Sequence, residues 1–239
     1  MSPAEALKSA DNYNAVIVPV IRTHLEGGII MLDKISINAH SSICIDGEPK
    51  IYIDPYMMRE EPKDADIVFI THDHFDHLSK EDLEKVCKED TVVVVPESCA
   101  DSAVDAGVPK THLRTMNAGD VLELGGVSAE GVPAYNIKKE FHPKKNGWLG
   151  YVLTIDDTRI YIAGDTDDTA AVENVKCDIA MVPIGGTYTM NAVEAASVVN
   201  KMKPKTVIPT HYGSVVGEIG DENKFMEKID PDIWVAVKI

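Results

Sequence analysis

Short apolar runs separated by turn residues recur along the chain and predict a succession of β-strands. Each run is rich in valine and isoleucine, and glycine, proline, aspartate or asparagine stands between neighbouring runs. The predicted strands span residues 35–38, 42–46, 50–54, 66–71, 91–95, 120–124, 127–132, 149–155, 159–163, 179–184, 206–210 and 233–238.

Helical segments lie between some of these strands. Ser79 and Asn191 are suitable N-cap residues, and Glu194, three positions after Asn191, completes a capping-box pattern. The helix after Asn191 is expected to turn inward Ala192, Ala195, Ala196 and Val199. Residues 98–106, closed by Gly107, and residues 222–229 are two further predicted helices. This alternation fits two sheets packed face to face, with helices on both outer sides.

Length and charge narrow the possible classes of protein. The 239 residues suit one α/β domain with a full core, and the net charge of −16 argues against broad nucleic-acid binding. The four cysteines form no C-x-x-C pair and are expected to be free thiols in a reducing compartment. Because no signal peptide is visible and no apolar run reaches membrane-spanning length, we expect a cytoplasmic protein without a membrane span.

One polar segment directly follows the predicted strand at 66–71 and carries three imidazoles and two carboxylates: His72, Asp73, His74, Asp76 and His77. His72 and His74 lie two residues apart and would point to the same side, whereas Asp76 and His77 can reach a second, neighbouring position. Nitrogen and oxygen donors without thiolate suit zinc, manganese, iron or nickel in a catalytic site. The alternative is a polar turn that is merely rich in histidine.

Two other polar residues also follow predicted strands. Asp165 comes after the strand at 159–163, beside Gly164, which allows a close approach of the backbone. His211 comes after the strand at 206–210. For Asp165, a turn aspartate or the N-cap of a helix near Asp168 remains the alternative interpretation.

The order His-x-His-x-Asp-His after a strand resembles the metallo-β-lactamase superfamily of hydrolases. Similar segments are found at residues 38–42, 51–55, 163–166, 183–189 and 209–213. This resemblance, to a subgroup of small members, implies a four-layer αββα sandwich over residues 34–239. Residues 1–33 are then an N-terminal extension or added element, or else they precede the true start.

The resemblance also implies the metal ligands. It assigns one metal ion to His72, His74 and His142, and a second to Asp76, His77 and His211, with Asp165 bridging the two. Many relatives have a histidine where this chain has Asn136, so His142 is taken as the replacement, although an ordinary loop histidine remains the alternative. Asp76, which can orient the nucleophile or carry a proton, is assigned together with Asp165 as catalytic.

Other residues are expected around these ligands. His40 and Asp54 follow early strands and are candidates to fix the tautomer of an imidazole ligand, with simple turn chemistry as the alternative. The candidates for contact with substrate are Asn136, Tyr188 and Tyr212. Lysines 138, 139, 144 and 145 form a local basic cluster that either attracts an anion or is an ordinary solvated loop.

The predicted function is that of a metal-dependent hydrolase. Two divalent ions, zinc or else manganese, iron or nickel, about 3.5–4 Å apart can hold a hydroxide at neutral pH. No Gly-x-Ser-x-Gly nucleophile motif is present. Resemblance to phosphodiesterase and lactonase members implies a small, anionic ester as substrate, either a phosphodiester or a lactone. The alternatives are a mononuclear iron oxidoreductase of the same fold and a non-catalytic metal-binding protein.

Overall fold

The computed structural model describes residues 31–239, so most of the predicted N-terminal element at 1–33 lies outside the described residues. The domain boundary at residue 34 stays a prediction. The first half of the described chain builds a six-stranded sheet whose spatial order follows the sequence. Its strands are β1 Ile35–Ala39, β2 Ser42–Ile45, β3 Ile51–Ile53, β4 Ala65–Phe69, β5 Cys87–Pro96 and β6 Leu113–Met116.

The second half builds a seven-stranded sheet in the order β13-β12-β11-β10-β9-β8-β7. Its strands are β7 Val121–Leu124, β8 Val127–Pro133, β9 Leu149–Ile155, β10 Thr158–Ile162, β11 Ile179–Pro183, β12 Thr206–Thr210 and β13 Trp234–Val235. Strands β3 to β6 pair in parallel, as do β10 to β13. Each sheet thus brings the carboxyl ends of several strands to one edge, where ligand sites are usually found in α/β proteins.

Five α-helices connect the strands of the described chain: α1 Lys80–Val86, α2 Ala100–Asp105, α3 Ala170–Glu173, α4 Ala192–Met202 and α5 Asp221–Met226. The N-caps predicted at Ser79 and Asn191 are confirmed, and Asn191 forms a full capping box with Glu194. The predicted helix at 98–106 is shorter and is preceded by the 3₁₀ turn Glu97–Cys99. The predicted helix at 222–229 ends earlier, at Met226.

The central core lies between the two sheets. Along β4, Ile67 and Phe69 point into this core, while Val68 and Ile70 point to the opposite face, as the two-residue period of a strand requires. In the second sheet, Leu149, Tyr151 and Leu153 meet them from β9. The alternation therefore makes both faces of each sheet apolar.

Helices cover the two outer faces. Leu83 of α1 and Ala103 of α2 pack with Val68 on the first sheet. On the second sheet, Ala195 and Val199 of α4 pack with residues of β11 and β12, and all four α4 residues predicted to face inward are buried. The α/β sandwich predicted from the sequence is thereby confirmed.

The four cysteines are free thiols, as predicted. Over residues 31–239, no helix is long and apolar enough to cross a membrane.

Candidate metal centre

Polar side chains that follow five different strands converge at one place. His40 follows β1, Asp54 follows β3, the segment His72–His77 follows β4, Asp165 follows β10 and His211 follows β12. These residues come from both sheets, so the packing of the sheets against each other brings them together.

A first histidine group consists of His72, His74 and His142. One ring nitrogen of each lies within 4.8 Å of the others, and Nε2 of His72 is 3.1 Å from Nδ1 of His74. The indole of Trp148 packs against all three imidazoles, with centroid distances of 4.9, 4.8 and 5.5 Å. This buried indole restricts the positions of the three rings.

A second histidine group consists of His40, Asp76, His77 and His211, whose potential ligand atoms also lie within 4.8 Å of one another. Oδ2 of Asp76 is 3.3 Å from Nε2 of His40 and 3.7 Å from Nε2 of His77. It is 3.8 Å from Nε2 of His211. One carboxylate oxygen is thus surrounded by three imidazoles.

Asp165 lies between the two histidine groups. Its Oδ2 is 3.2 Å from Nε2 of His142 in the first group and 3.0 Å from Nε2 of His211 in the second. Its Oδ1 is 3.5 Å from Nε2 of His77. Asp165 is therefore the carboxylate that faces both groups.

Asp54 and Thr71 orient the imidazole of His77 from behind. Oδ2 of Asp54 lies 2.7 Å from Nδ1 of His77 and accepts a 2.6 Å hydrogen bond from the Thr71 hydroxyl. Oδ1 of Asp54 accepts a 2.8 Å bond from the backbone N–H of Thr71. A carboxylate on Nδ1 holds a proton there, so Nε2 is the nitrogen of His77 that points into the cluster and would bind a metal ion after losing its own proton.

Asn136 occupies the corresponding position behind His142. Its Oδ1 lies 3.0 Å from the backbone nitrogen of His142 and 3.0 Å from Nδ1 of its ring. Its Nδ2 donates a 3.0 Å hydrogen bond to the carbonyl of Tyr188. The amide oxygen of Asn136 thus faces His142, and one N–H of the amide is bonded to the loop of Tyr188.

The backbone around the cluster is held in uncommon conformations. His40, Asp54 and His211 have φ of 55°, 46° and 58°, in the left-handed region that non-glycine residues seldom adopt. Gly164, with φ +62°, sits so close to Thr71 that a Cβ would lie 3.1 Å from the Cβ of that threonine. A Cβ at Gly185 would lie 2.2 Å from the carbonyl oxygen of His211.

The donor set of the cluster fits a metal ion. Several buried polar atoms have no hydrogen-bond partner among the described residues: Nε2 of His40, His77, His142 and His211, and Oδ1 of Asp165. Unpartnered buried nitrogen and oxygen atoms are unfavourable unless a ligand satisfies them, and divalent transition metals bind imidazole and carboxylate. Four of the seven residues predicted as ligands carry such atoms, namely His77, His142, Asp165 and His211, and His40 carries one in addition.

A family model described as the beta-lactamase superfamily domain matches residues 34–211. This chain belongs to the metallo-β-lactamase superfamily. A UPF0173 metal-dependent hydrolase of Pyrococcus horikoshii is 30% identical over 217 residues, which cover 85% of this chain and 95% of the relative. A UPF0173 metal-dependent hydrolase of Methanoregula boonei is 32% identical over 208 residues, 83% and 90% of the two chains.

Solved structures agree with this family assignment. A Parabacteroides distasonis protein described as a metal-dependent hydrolase has a TM-score of 0.72 at 30% identity, covering 85% of this chain and 91% of its own. A metallo hydrolase of Ignicoccus hospitalis has a TM-score of 0.69 at 21% identity, covering 85% and 93%, and supports the fold alone. As a member of the metallo-β-lactamase superfamily with such relatives, the chain is a metal-dependent hydrolase.

Charge interactions between the histidine groups and the carboxylates of Asp76 and Asp165 favour the ionised form of both carboxylates. Burial alone would raise the pKa of Asp76, but the imidazole of His40, 3.3 Å away, and those of His77 and His211 lower it to about 2. The pKa of Asp165 lies well below its usual range because His211 and His77 outweigh its burial. Burial likewise favours neutral His77, yet the carboxylates of Asp165 and Asp54 raise its pKa to about 9.

The residues that the sequence predicts around the metal ligands differ in where they lie. Asp54 has the expected contact with an imidazole, whereas His40 lies inside the second histidine group, with its ring centroid 3.7 Å from that of His211. Tyr188 is half-buried at the surface beside the cluster. Tyr212 is buried in the apolar cluster under α4.

Two contributors were missed or left open by the sequence reasoning. Thr71 was read only as the end of a strand, although its position directly before the first histidine was the available signal. Trp148, six residues after His142 in the sequence, packs against the first histidine group. Two of the four lysines at positions 138, 139, 144 and 145 already have partners within the protein. Lys139 forms a 2.6 Å ion pair with Asp167, and Lys144 lies over the ring of Tyr135.

Proposed function

We propose that this hydrolase uses two divalent metal ions, zinc by preference, to cleave a small anionic ester, either a phosphodiester or a lactone. The observation that supports the proposal is the position of Asp165, with its oxygens 3.0–3.5 Å from imidazoles of both histidine groups. A carboxylate in this position is suited to bridge two metal ions.

The proposed ligands follow from the two groups. His72, His74 and His142 would hold one ion, and Asp76, His77 and His211 the other, with Asp165 shared between them. His40 is proposed as a partner of Asp76, because its Nε2 is 3.3 Å from Oδ2 of Asp76 and its Nδ1 is 3.2 Å from Oγ of Ser214.

In the proposed reaction, the metal ions and the protein side chains have different roles. When bound, two such ions supply Lewis acidity and lower the pKa of water, so that no serine or cysteine nucleophile is required. Asp76, whose pKa is about 2, is ionised at neutral pH, so its Oδ2 can bind a metal ion or accept a hydrogen bond that orients the attacking water. His40 lies beside that oxygen, and its other nitrogen contacts the Ser214 hydroxyl near the surface, so His40 can relay a proton between the cluster and solvent.

The first test is metal content per chain, by elemental analysis of protein purified without chelators or a metal-affinity column. We expect about two equivalents in the wild type and in His112→Ala, a matched control outside the cluster. Asp165→Asn and His142→Ala are expected to retain less. Loss of an outer-shell partner typically costs 10–100-fold in metal affinity or activity, so loss of a direct ligand should lower phosphodiester or lactone hydrolysis by more than about 100-fold.

Each contrary result has a definite meaning. A single iron per chain would favour the mononuclear iron oxidoreductase over the two-metal hydrolase. Full metal retention in His142→Ala would remove His142 from the ligand set, and metal retention without ester hydrolysis would favour a metal-binding protein.

A further inference from the structure

Two of the four phenylalanines are exposed to solvent, and both are sequence neighbours of residues in the candidate metal centre. The chain has four phenylalanines, and Phe69 and Phe225 are fully buried in the core. The other two are exposed, Phe75 by 68% and Phe141 by 49%. Phe75 stands between His74 and Asp76 in the sequence, and Phe141 directly precedes His142.

Each exposed phenylalanine forms an edge-to-face pair with a tyrosine from another loop. Phe75 pairs with Tyr56 at a centroid distance of 6.1 Å, and Phe141 pairs with Tyr188 at 4.6 Å. Such geometry is favourable between aromatic rings and stabilises their exposed positions. The rings are therefore held in place by contacts between separate loops.

The two pairs belong to different sides of the cluster. Tyr56 lies 6.5 Å from the ring of His40, in the second histidine group. Tyr188 accepts the hydrogen bond of Asn136, which in turn contacts His142 of the first histidine group. An aromatic pair thus stands beside each half of the candidate metal centre.

Loops around the cluster expose further apolar side chains. Met57, Ile137 and Val215 are 53%, 60% and 38% exposed. They adjoin Tyr56, Asn136 and Ser214 in the sequence, three residues that contact the cluster or its immediate partners. Grouped apolar exposure of this kind marks a binding surface more often than isolated exposed residues do.

We propose that the substrate is amphiphilic, with an anionic ester head at the metal centre and an alkyl, acyl or aromatic group against the Phe75–Tyr56 and Phe141–Tyr188 pairs. The occupant is assigned as the substrate because both phenylalanines are direct sequence neighbours of cluster residues. This inference rests on the proposed two-metal hydrolase and specifies its substrate class.

The test uses alkylphosphonates, whose carbon–phosphorus bond resists hydrolysis, and the zinc-loaded full chain. Binding is measured calorimetrically for a series from methyl- to octylphosphonate, each below its micellar concentration. Full burial of a methylene is worth up to about fourfold in affinity, so we expect a gain of about two- to fourfold per carbon over the first several carbons.

Substitutions at the two exposed phenylalanines test whether the apolar group of the substrate binds there. Phe75→Ala and Phe141→Ala are expected to flatten the dependence on chain length, so that the loss of affinity is much larger for octylphosphonate than for methylphosphonate. Trp234→Ala is the matched control, because it removes an aromatic side chain of similar exposure, 51%, from β13. A preserved dependence in both phenylalanine variants would overturn the inference.

Other outcomes separate this inference from the proposed function. Equal affinity for all chain lengths would overturn the amphiphilic substrate and leave the metal centre standing. Failure of every phosphonate to bind to zinc-loaded protein would overturn both. Gel filtration completes the test: a wild-type dimer that Phe75→Ala and Phe141→Ala dissociate would make this surface a contact between copies of the chain.

Discussion

At the scale of single residues, Asn136 decides which nitrogen of His142 faces the cluster. The backbone N–H of His142 and the carbonyl of Tyr188 fix the orientation of the Asn136 amide, with Oδ1 towards His142. An amide oxygen only accepts hydrogen bonds, so the ring must carry its proton on Nδ1. Nε2 of His142 is then left unprotonated towards Asp165. Asn136, which stands where the resemblance leads us to expect a histidine, is therefore proposed as a positioning residue for His142.

We expect Asn136→Ala to weaken metal binding by about 10–100-fold, the usual effect of removing a partner behind a ligand. The measurement is competition with a chromogenic chelator, at constant pH and zinc concentration. Asn174→Ala is the matched control, because Asn174 is exposed and, among residues 31–239, its amide bonds only to the carbonyl of Ala170 in the adjacent helix. Wild-type affinity in Asn136→Ala would show that His142 needs no such partner.

Much of the residue-level site could be predicted, because each ligand candidate directly follows an apolar run that predicts a strand. The role of Thr71 could not, since a threonine next to a strand is common and its bond to Asp54 joins residues 17 positions apart. Similarly, nothing in the sequence around His40 indicates that its ring packs against the ring of His211. These contacts depend on the packing of the two sheets.

At the scale of elements, Asp82 in the first turn of α1 anchors the loop after β3. Its two oxygens accept backbone hydrogen bonds from Met57 and Met58, at 3.0 and 2.9 Å. Burial would raise its pKa, but the hydroxyl of Ser79, the N–H of Met58 and the ammonium of Lys85 lower it overall. The carboxylate is therefore stabilised in the folded state, and the loop that carries Tyr56 depends on it.

We expect Asp82→Asn to lower the free energy of unfolding by about 1.5–3 kcal/mol at pH 7, as for hydrogen bonds to a charged group. Because the folded pKa lies below the unfolded value of about 3.9, this contribution is complete above pH 4 and is lost as the pH falls through the folded pKa. Urea unfolding of both proteins between pH 7 and pH 3 measures the difference.

Asp101→Asn serves as the control, because Asp101 also lies in the first turn of a helix on the same sheet but is exposed. It should differ little from the wild type at any pH. A difference for Asp82→Asn that stays constant down to pH 3 would contradict the role assigned to the ionised carboxylate.

The strands of both sheets were predicted well where their sequences are apolar, and less well at the edges. β6, with the sequence Leu-Arg-Thr-Met, was missed because its two central residues are exposed, so it carries neither an apolar run nor a clear alternation. The four-residue helix α3 is too short to show a helical period, although Thr169 caps it through the N–H of Val172. Both elements form because neighbouring strands or helices hold them.

At the scale of the whole molecule, the cluster places many unpartnered polar atoms in the interior of a protein of net charge −16. Unsatisfied buried groups oppose folding, and the carboxylates of Asp76 and Asp165 also repel each other. A bound divalent cation satisfies the lone pairs and offsets the negative charge. Metal should therefore contribute strongly to the stability of the fold.

We expect zinc at 100 times its dissociation constant to stabilise the protein by about 2.7 kcal/mol relative to the metal-free form. For a domain of this size, such a gain raises Tm by about 5–10 °C. Thermal unfolding in zinc and in excess chelator measures it, with Asp165→Asn expected to show a smaller difference. Identical melting curves in zinc and chelator would contradict a stabilising metal centre.

The positions of the cluster residues along the chain also bear on how the protein is made. His40 and the segment His72–His77 belong to the first sheet, whereas His211 follows β12 near the carboxyl end. Since a chain is synthesised from its amino end, the early imidazoles emerge from the ribosome well before their last partner. A chain truncated before β12 lacks His211 of the second histidine group, so we expect such a product to bind less metal than the full chain.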